Sequence, residues 1–225
     1  MRRRPREGQA GQNHMSSPKQ SKVRRSLSQE ARRKRPKPRV MLNPSVQYQN
    51  VVRDSDGCEV YNEAETMWDI AVRVKAALDR DRRVEAYLSR QGRRHQTTLK
   101  EECELARKLR CDAFVSLHSD AAPDDSPGGG TWTFYRDEEG KRLAVAVHSR
   151  LVEAIASVYP EVVDRGVREH WNRLYVLWNA GCPASLTEIL FHSNPTEREM
   201  LKQPEFQDLV ALAVAQAMLD YFGLA

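Results

Sequence analysis

The sequence predicts an α/β domain with a mostly parallel central sheet, preceded by a disordered basic tail. From residue 40 onward, short apolar runs typical of buried strands alternate with longer stretches whose apolar residues recur at helical spacing. Residues 1–39, in contrast, are rich in Arg, Lys, Gln, Ser and Pro. Such a segment cannot bury enough apolar surface to offset the entropy cost of ordering it.

The first half of the domain predicts three strands and two helices. Residues 40–42 are an apolar run stopped by Asn-Pro-Ser, and a loop follows to about residue 62. Residues 63–78 carry an apolar stripe at helical spacing, whereas residues 84–88 alternate as a strand does. Residues 99–109 predict a second helix with a charged outer face. Residues 113–117 are a continuous apolar run, which is typical of a buried central strand.

The second half continues the alternation after a loop rich in Pro, Asp and Gly. Apolar runs predict strands, and amphipathic stretches predict helices, the first of which stops at a proline. A Thr-x-x-Glu capping box predicts a further short helix that begins at Thr196. The predicted strands are 131–135, 174–177 and 184–189, and the predicted long helices are 142–158 and 206–221.

Three polar side chains stand out against this scaffold. His118 follows the central strand, and open α/β sheets bind ligands at the carboxyl ends of their strands. Glu188 interrupts an apolar strand, where burial would raise its pKa and suit it to general acid/base work. Glu63 opens the first helix. Their structural alternatives are a satisfied polar residue at a strand end for His118 and a carboxylate favoured by the helix dipole for Glu63.

The order and contexts of these residues resemble those of the zinc-dependent N-acetylmuramoyl-L-alanine amidases. The matching segments cover about residues 39–223, nearly the whole predicted domain. They are Asn62-Glu63 before Met67-Trp-Asp-Ile-Ala71, Ser116-Leu-His118, Arg165-Gly-Val167, Pro183-Ala-Ser-Leu-Thr-Glu188 and Phe191-His-Ser-Asn-Pro195.

The resemblance implies a twisted sheet flanked by helices on both faces and a zinc ion held by Glu63 and His118. Glu188 would take a proton from the attacking water and pass it to the leaving amine. The bond cut would be the amide between N-acetylmuramic acid and L-alanine in peptidoglycan. The partners would then be peptidoglycan and, for the basic tail, an anionic wall polymer.

One departure from the family concerns its first zinc ligand. The family usually carries a Gly-His-Gly after the first strand, whereas this chain reads Asn43-Pro-Ser-Val-Gln47 there, which indicates a subgroup without that histidine. A glutamine carbonyl is a poor zinc ligand, so Gln47 could instead orient water or substrate. His192, four residues after Glu188, is the first candidate for an additional ligand, and His170 is the second. His95 and His148 are expected to be solvated.

Three further interpretations remain open at this point. The domain could be a metal-free amidase-like module that binds peptidoglycan or a protein partner, or a metallopeptidase that cuts within the stem peptide. A nucleic-acid binder is disfavoured. Residues 1–39 hold 14 Lys and Arg against 2 Glu, but they lack interleaved aromatics, and the net charge of +5 leaves −7 for residues 40–225. Trp132, Tyr135, Trp171 and Trp178 are candidates for stacking on sugars or for ordinary packing.

Composition also limits the compartment and the cofactor. None of the four cysteines forms a Cys-x-x-Cys pair, so neither a cysteine zinc cluster nor a disulfide framework is expected. No apolar run approaches the roughly 18 residues of a membrane span. The N-terminus lacks the apolar stretch of a secretory signal peptide, and Met15 is an alternative start, so the localisation stays unknown.

Overall fold

A computed structural model describes residues 36–123, 128–170 and 174–225, of which residues 37–225 form one compact unit. The strands are β1 (Arg39–Pro44), β2 (Val51–Arg53), β3 (Glu59–Asn62), β4 (Glu85–Leu88), β5 (Ala113–Asp120), β6 (Thr131–Tyr135), β7 (Asp164–Glu169) and β8 (Ala184–Phe191). The helices are α1 (Glu63–Asp81), α2 (Leu99–Lys108), α3 (Glu138–Val158), α4 (Tyr175–Asn179), α5 (Pro195–Lys202) and α6 (Pro204–Tyr221).

Six strands form the central sheet in the order β4-β1-β5-β8-β6-β7. All neighbouring strands are parallel except β8 and β6, which run antiparallel. One face packs against α1, α3 and α6, and the other carries the smaller helices α2 and α4. The predicted α/β class, with a mostly parallel sheet covered by helices on both faces, is confirmed. No helix in the described ranges is both long and apolar enough to cross a membrane.

Two predictions of local structure are wrong. Residues 174–177 were expected to be a strand, but they begin α4, because a short apolar run does not by itself distinguish a buried strand from a helical turn. The cap of α5 is Asn194 rather than Thr196. The Asn194 side chain accepts from the backbone N–H groups of Thr196 and Glu197, and Pro195 occupies the first helical position.

The structure also contains elements that the sequence patterns did not predict. The expected loop up to residue 62 holds the β2–β3 hairpin, and β7 forms an edge of the central sheet. Residues 1–35 of the expected basic tail, which was predicted to cover residues 1–39, lie outside the described residues. The disorder of the tail therefore stays a prediction. Its last residue, Arg39, already belongs to β1.

The four cysteines are free, as expected from their spacing. Cys103 and Cys111 are buried in the apolar cluster beneath α2 and α4, and burial raises the pKa of each thiol to about 11. These two thiols therefore act as small apolar side chains at neutral pH.

Candidate active site

A row of residues crosses the sheet at the carboxyl end of β5. His118 on β5 is the register partner of Glu188 on β8, and Glu188 is in turn the partner of Trp132 on β6. Residues paired in this way project from the same face of a sheet. Directly after this row the β5–β8 register shifts, and Leu190 adopts a left-handed φ of 59°. Such bulges are common beside active sites, where they re-aim side chains.

Glu63 reaches the same place from the start of α1. Asn62 caps this helix by accepting from the N–H of Glu65, and the N–H of Glu63 donates to the carbonyl of Asn50. The Glu63 side chain is only 1% exposed, and its Oε1 lies 2.9 Å from Nδ1 of His118. This contact lacks the alignment of a hydrogen bond, so Oε1 is a buried oxygen without a hydrogen-bonding partner.

The charges of Glu63 and His118 favour each other. Burial opposes both charged forms. For Glu63, however, the neighbouring His118 and the hydrogen bond from Asn50 outweigh burial and lower the pKa of the carboxyl group. Burial also disfavours the charged form of His118, but the negative charge of Glu63 outweighs burial and raises the pKa of the imidazole. Glu63 and His118 therefore favour each other's charged forms.

Glu188 is in a different electrostatic situation. Burial, together with the negative charges of Glu63 and Asp120, raises the pKa of its carboxyl group to about 8, although His118 pulls it down. Its Oε2 is buried and has no hydrogen-bonding partner. A carboxyl group whose pKa lies near neutrality can both take up and release a proton at working pH.

Gln47 lies in the loop after β1, on the His118 side of this cluster. Its Nε2 is 3.4 Å from Nδ1 of His118, and its Oε1 accepts a 2.8 Å hydrogen bond from Nδ2 of Asn50. The same Asn50 nitrogen donates to Oε2 of Glu63 at 2.6 Å. Asn50 therefore holds the amide of Gln47 and the carboxylate of Glu63 in one arrangement. Asn50 was not among the residues predicted from sequence, where its only signal was its position three residues after Gln47.

Two residues of the cluster are of types that customarily bind zinc. An imidazole nitrogen and a carboxylate oxygen without a hydrogen-bonding partner converge at Glu63 and His118, both of a type that zinc prefers. Within the described ranges, no three His, Cys, Asp or Glu side chains come together closely enough to hold a metal. The third protein group beside His118 is thus the Gln47 amide, whose oxygen and nitrogen could exchange places by rotation.

The other candidate histidines, His192 and His170, make contacts of their own. Nδ1 of His192 is 3.0 Å from both the hydroxyl and the carbonyl oxygen of Ser119, and the ring stacks on Tyr61 at 5.3 Å. Burial lowers the pKa of His192, which keeps the imidazole neutral at pH 7. His170 packs edge-on against Phe134 at 4.9 Å.

The two remaining histidines within the described ranges differ from each other. His95 is exposed, as expected. The expectation of a solvated His148 is wrong: it is buried on α3 and contacts Asp164 at 2.8 Å and Thr133 at 3.2 Å. The amphipathic pattern of α3 did not reveal this contact, because Asp164 belongs to the unpredicted strand β7.

The candidate aromatic residues do not form one surface. Trp132 lies in the site row, Tyr135 follows at the end of β6, and Trp178 is 40% exposed on α4. Trp171 lies outside the described residues. Only Trp132 is therefore adjacent to Glu188 among the described members of the group.

Comparison with known proteins identifies the family of the chain. A sequence model described as N-acetylmuramoyl-L-alanine amidase matches residues 52–220, which is most of the chain. The chain belongs to this amidase family. An uncharacterized cell wall amidase of Bacillus anthracis is 32% identical over 181 residues, which is 72% of this chain and 32% of that protein. The germination-specific N-acetylmuramoyl-L-alanine amidase of Bacillus subtilis is 26% identical over 58% of this chain and 53% of its own length.

Solved structures of the amidase family share the fold. The N-acetylmuramoyl-L-alanine amidase of Clostridium difficile 630 superposes with a TM-score of 0.72 at 25% identity and covers 83% of this chain and 97% of its own. The catalytic domain of CwlV from Paenibacillus polymyxa var. colistinus has the same TM-score at 24% identity, covering 84% and 99%. The chain spans between about a third and 60% of the length of the curated relatives it matches first.

Proposed function

We propose that this chain is a zinc-dependent N-acetylmuramoyl-L-alanine amidase that cuts the amide bond between N-acetylmuramic acid and L-alanine in peptidoglycan. Membership of the amidase family supports the reaction class. The observation that carries the proposal is the convergence of Glu63, His118 and Glu188 at one end of the sheet, with two buried carboxylate oxygens that lack hydrogen-bonding partners.

In this proposal Glu63 and His118 hold the metal, and the Gln47 amide is the third group beside it. When bound, zinc supplies a Lewis acid that polarises the scissile carbonyl and lowers the pKa of water. Asn50 keeps Gln47 and Glu63 in place through its two hydrogen bonds. His192 is bound to Ser119 and stays outside this set of ligands.

Glu188 is the proton carrier of the proposed reaction. The buried carboxylate takes a proton from the attacking water and delivers it to the nitrogen of L-alanine as the C–N bond breaks. Its raised pKa, about 8, favours both directions of transfer near neutral pH. The products are a free lactyl carboxylate on the sugar and a peptide with a new amino terminus.

The test is digestion of purified peptidoglycan by the zinc-loaded chain, with mass spectrometry of the soluble products. We expect stem peptides that begin with L-alanine and glycan strands without peptide. Glu188→Gln should abolish their release, whereas Glu199→Gln, which changes an exposed glutamate of α5 paired with Lys202, should leave it unchanged. New amino termini within the stem would identify a peptidase instead, and binding without cleavage would identify a binding module.

We further propose that the basic N-terminus retains the chain on an anionic wall polymer. Residues 1–39 carry a net charge of +12, and residues 1–35 lie outside the described part of the chain. Retention of the full chain on a teichoic-acid column should weaken steeply with salt, because exposed charges are screened. Unchanged retention of a variant with the arginines at positions 2–4, 24, 25, 32 and 33 replaced by glutamine would contradict this part of the proposal.

A further inference from the structure

Two arginines of β7 lie on the aromatic ring that borders the proposed site. The guanidinium carbon of Arg165 is 5.3 Å from the centre of the Trp132 ring and 4.7 Å from that of Phe191. The guanidinium carbon of Arg168 is 5.1 Å from the centre of the same Trp132 ring. Trp132 is the register partner of Glu188. Both cations are therefore one side chain away from the proposed proton carrier.

An irregularity in the β6–β7 pairing places both arginines on this face. Thr131 pairs with Asp164, but Trp132 pairs with Gly166, so Arg165 is an extra residue in the ladder. Gly166 has a φ of +81°, which favours glycine and lets the strand kink. Arg168 is the partner of Phe134, two residues beyond Trp132, so it projects from the same face.

Each of the two arginine side chains donates a hydrogen bond from its Nε atom to a backbone carbonyl. Nε of Arg165 donates to the carbonyl of Gly129, and Nε of Arg168 donates to the carbonyl of Arg165 at 3.2 Å. In the described part of the chain, neither arginine forms an ion pair, and their terminal nitrogens make no hydrogen bond. Two oriented guanidinium groups thus present free donors beside the site.

The nearby carboxylates of Glu197 and Asp120 attract Arg165 electrostatically, but their hydrogen bonds come from backbone N–H groups. Glu197 accepts from the N–H groups of Gly130 and Phe191 at 2.8 and 2.7 Å, and Asp120 accepts from the N–H of Ala121 at 2.7 Å. Among the described residues, no acceptor therefore occupies the terminal nitrogens of the two arginines.

We propose that Arg165 and Arg168 form a subsite for a carboxylate of the substrate. A planar guanidinium binds a carboxylate through two parallel hydrogen bonds, and stacking on Trp132 fixes its orientation. This inference rests on the proposed function, which also identifies the part of the substrate concerned. The carboxyl group of muramic acid is consumed in the scissile amide, so a free carboxylate can come only from the peptide. The chain would then prefer acidic stem peptides over amidated ones.

Two substrates that differ only in one group test the subsite. They are N-acetylmuramoyl-L-alanyl-D-glutamate and the same compound with the glutamyl α-carboxylate converted to an amide. We expect wild-type kcat/KM to favour the carboxylate about tenfold or more, mainly through KM, because hydrogen bonds between charged groups are the stronger kind. Arg168→Gln should remove this preference by lowering kcat/KM on the carboxylate substrate. Equal kcat/KM values of the wild type on both substrates would overturn the subsite.

Two variants serve as controls for folding and for the type of contact. Arg165→Lys retains the positive charge but loses the planar guanidinium that can make two parallel hydrogen bonds. It should therefore lower the preference for the carboxylate substrate without disrupting the packing of Trp132 and Phe191. Arg136→Gln removes a similar guanidinium that lies 4.2 Å from the ring centre of Trp178, and we expect the preference to persist in this variant. Loss of the preference in Arg136→Gln as well would assign it to the general charge of the chain and contradict the subsite.

Calorimetry with Glu188→Gln separates this inference from the proposed reaction, because it needs no turnover. Tighter binding of the carboxylate form by a chain that never cleaves either compound would retain the subsite and reject the amidase activity. Equal binding of both forms in the same experiment, beside normal cleavage by the wild type, would reject the subsite and retain the activity.

Discussion

Two glutamates on the same side of the sheet, the buried Glu102 and the half-buried Glu188, differ in how their oxygens are satisfied. Glu102 on α2 accepts from Ser89 at 2.9 Å and from Asn43 at 2.8 Å, and Asn43 in turn accepts from Ser116 at 2.7 Å. Glu188 leaves one buried oxygen without any partner. Burial raises the pKa of both carboxyl groups, that of Glu188 to about 8.

In the proposed function, this difference distinguishes a structural carboxylate, Glu102, from a reactive one, Glu188. Hydrogen bonds to Glu102 link β1, β4 and α2 and compensate for its burial. The free oxygen of Glu188 is a cost to stability, which is the usual consequence of a group kept for chemistry. Glu63 is intermediate, because Asn50 holds one of its oxygens while the other faces His118.

The largest expected effect is on activity when the unsatisfied carboxylate is replaced. Glu188→Gln keeps the shape of the side chain but removes its proton-carrying capacity, so kcat should fall by about 10²–10⁴. Release of soluble peptide from peptidoglycan measures this. Glu102→Gln is the matched variant, and its activity should stay within a few-fold of the wild type. An equal loss in both variants would remove the distinction between the two glutamates.

The next effect concerns stability as a function of pH in the metal-free chain. An unfolded glutamate releases its proton near pH 4.5, whereas native Glu188 keeps it until about pH 8. The native state therefore binds more protons between these values, and wild-type stability falls as pH rises through them. The Glu188→Gln variant does not lose stability in this way as pH rises. Its free energy of unfolding should therefore exceed that of the wild type by a few kcal/mol at pH 8.

Urea denaturation in the presence of a chelator, at pH 4.5 and pH 8, measures this difference. The Glu188→Gln and wild-type chains should be nearly equally stable at pH 4.5. A constant difference between the two pH values would show that Glu188 is ionised throughout and would contradict its assigned environment.

A smaller effect, on zinc affinity, is expected when the hydrogen bond to Glu63 is removed. Asn50→Ala removes the donor shared by Gln47 and Glu63, so the dissociation constant for zinc should rise about 10- to 100-fold. Competition with a chromophoric chelator measures this without substrate. Gln47→His is the opposite variant and should tighten zinc binding, since imidazole is a better zinc ligand than an amide. Unchanged affinity in both variants would exclude Gln47 from the metal site.

The smallest effect concerns the contribution of Glu102, whose oxygens are both hydrogen-bonded, to folding stability. Ser89→Ala removes the donor to one oxygen of Glu102 and leaves it buried and unpaired, which should cost about 1–3 kcal/mol of folding free energy. Thermal and urea unfolding measure this loss. We expect kcat to remain near the wild-type value in this variant, and a large fall in kcat without loss of stability would assign Glu102 to the chemistry.

Much of the architecture and the identity of the candidate site residues could be predicted from sequence. The α/β alternation follows from local periodicity, and the positions of Glu63, His118 and Glu188 follow from their contexts in helix and strand patterns. The predicted strand at residues 174–177 failed because its four apolar residues fit either structure, and contacts with the cluster beneath α2 decided the outcome.

The fold class, the charge asymmetry and the residue types available for chemistry can all be inferred from the amino-acid sequence. Which of these residues meet depends on the tertiary fold. The pairing of Trp132 with Glu188, the extra residue at Arg165 and the hydrogen bonds of Asn50 depend on strand register and loop geometry. Register joins strands that are far apart in the chain, and no local pattern encodes it. The same reason explains why the contact of His192 with Ser119 could not be predicted from its position four residues after Glu188.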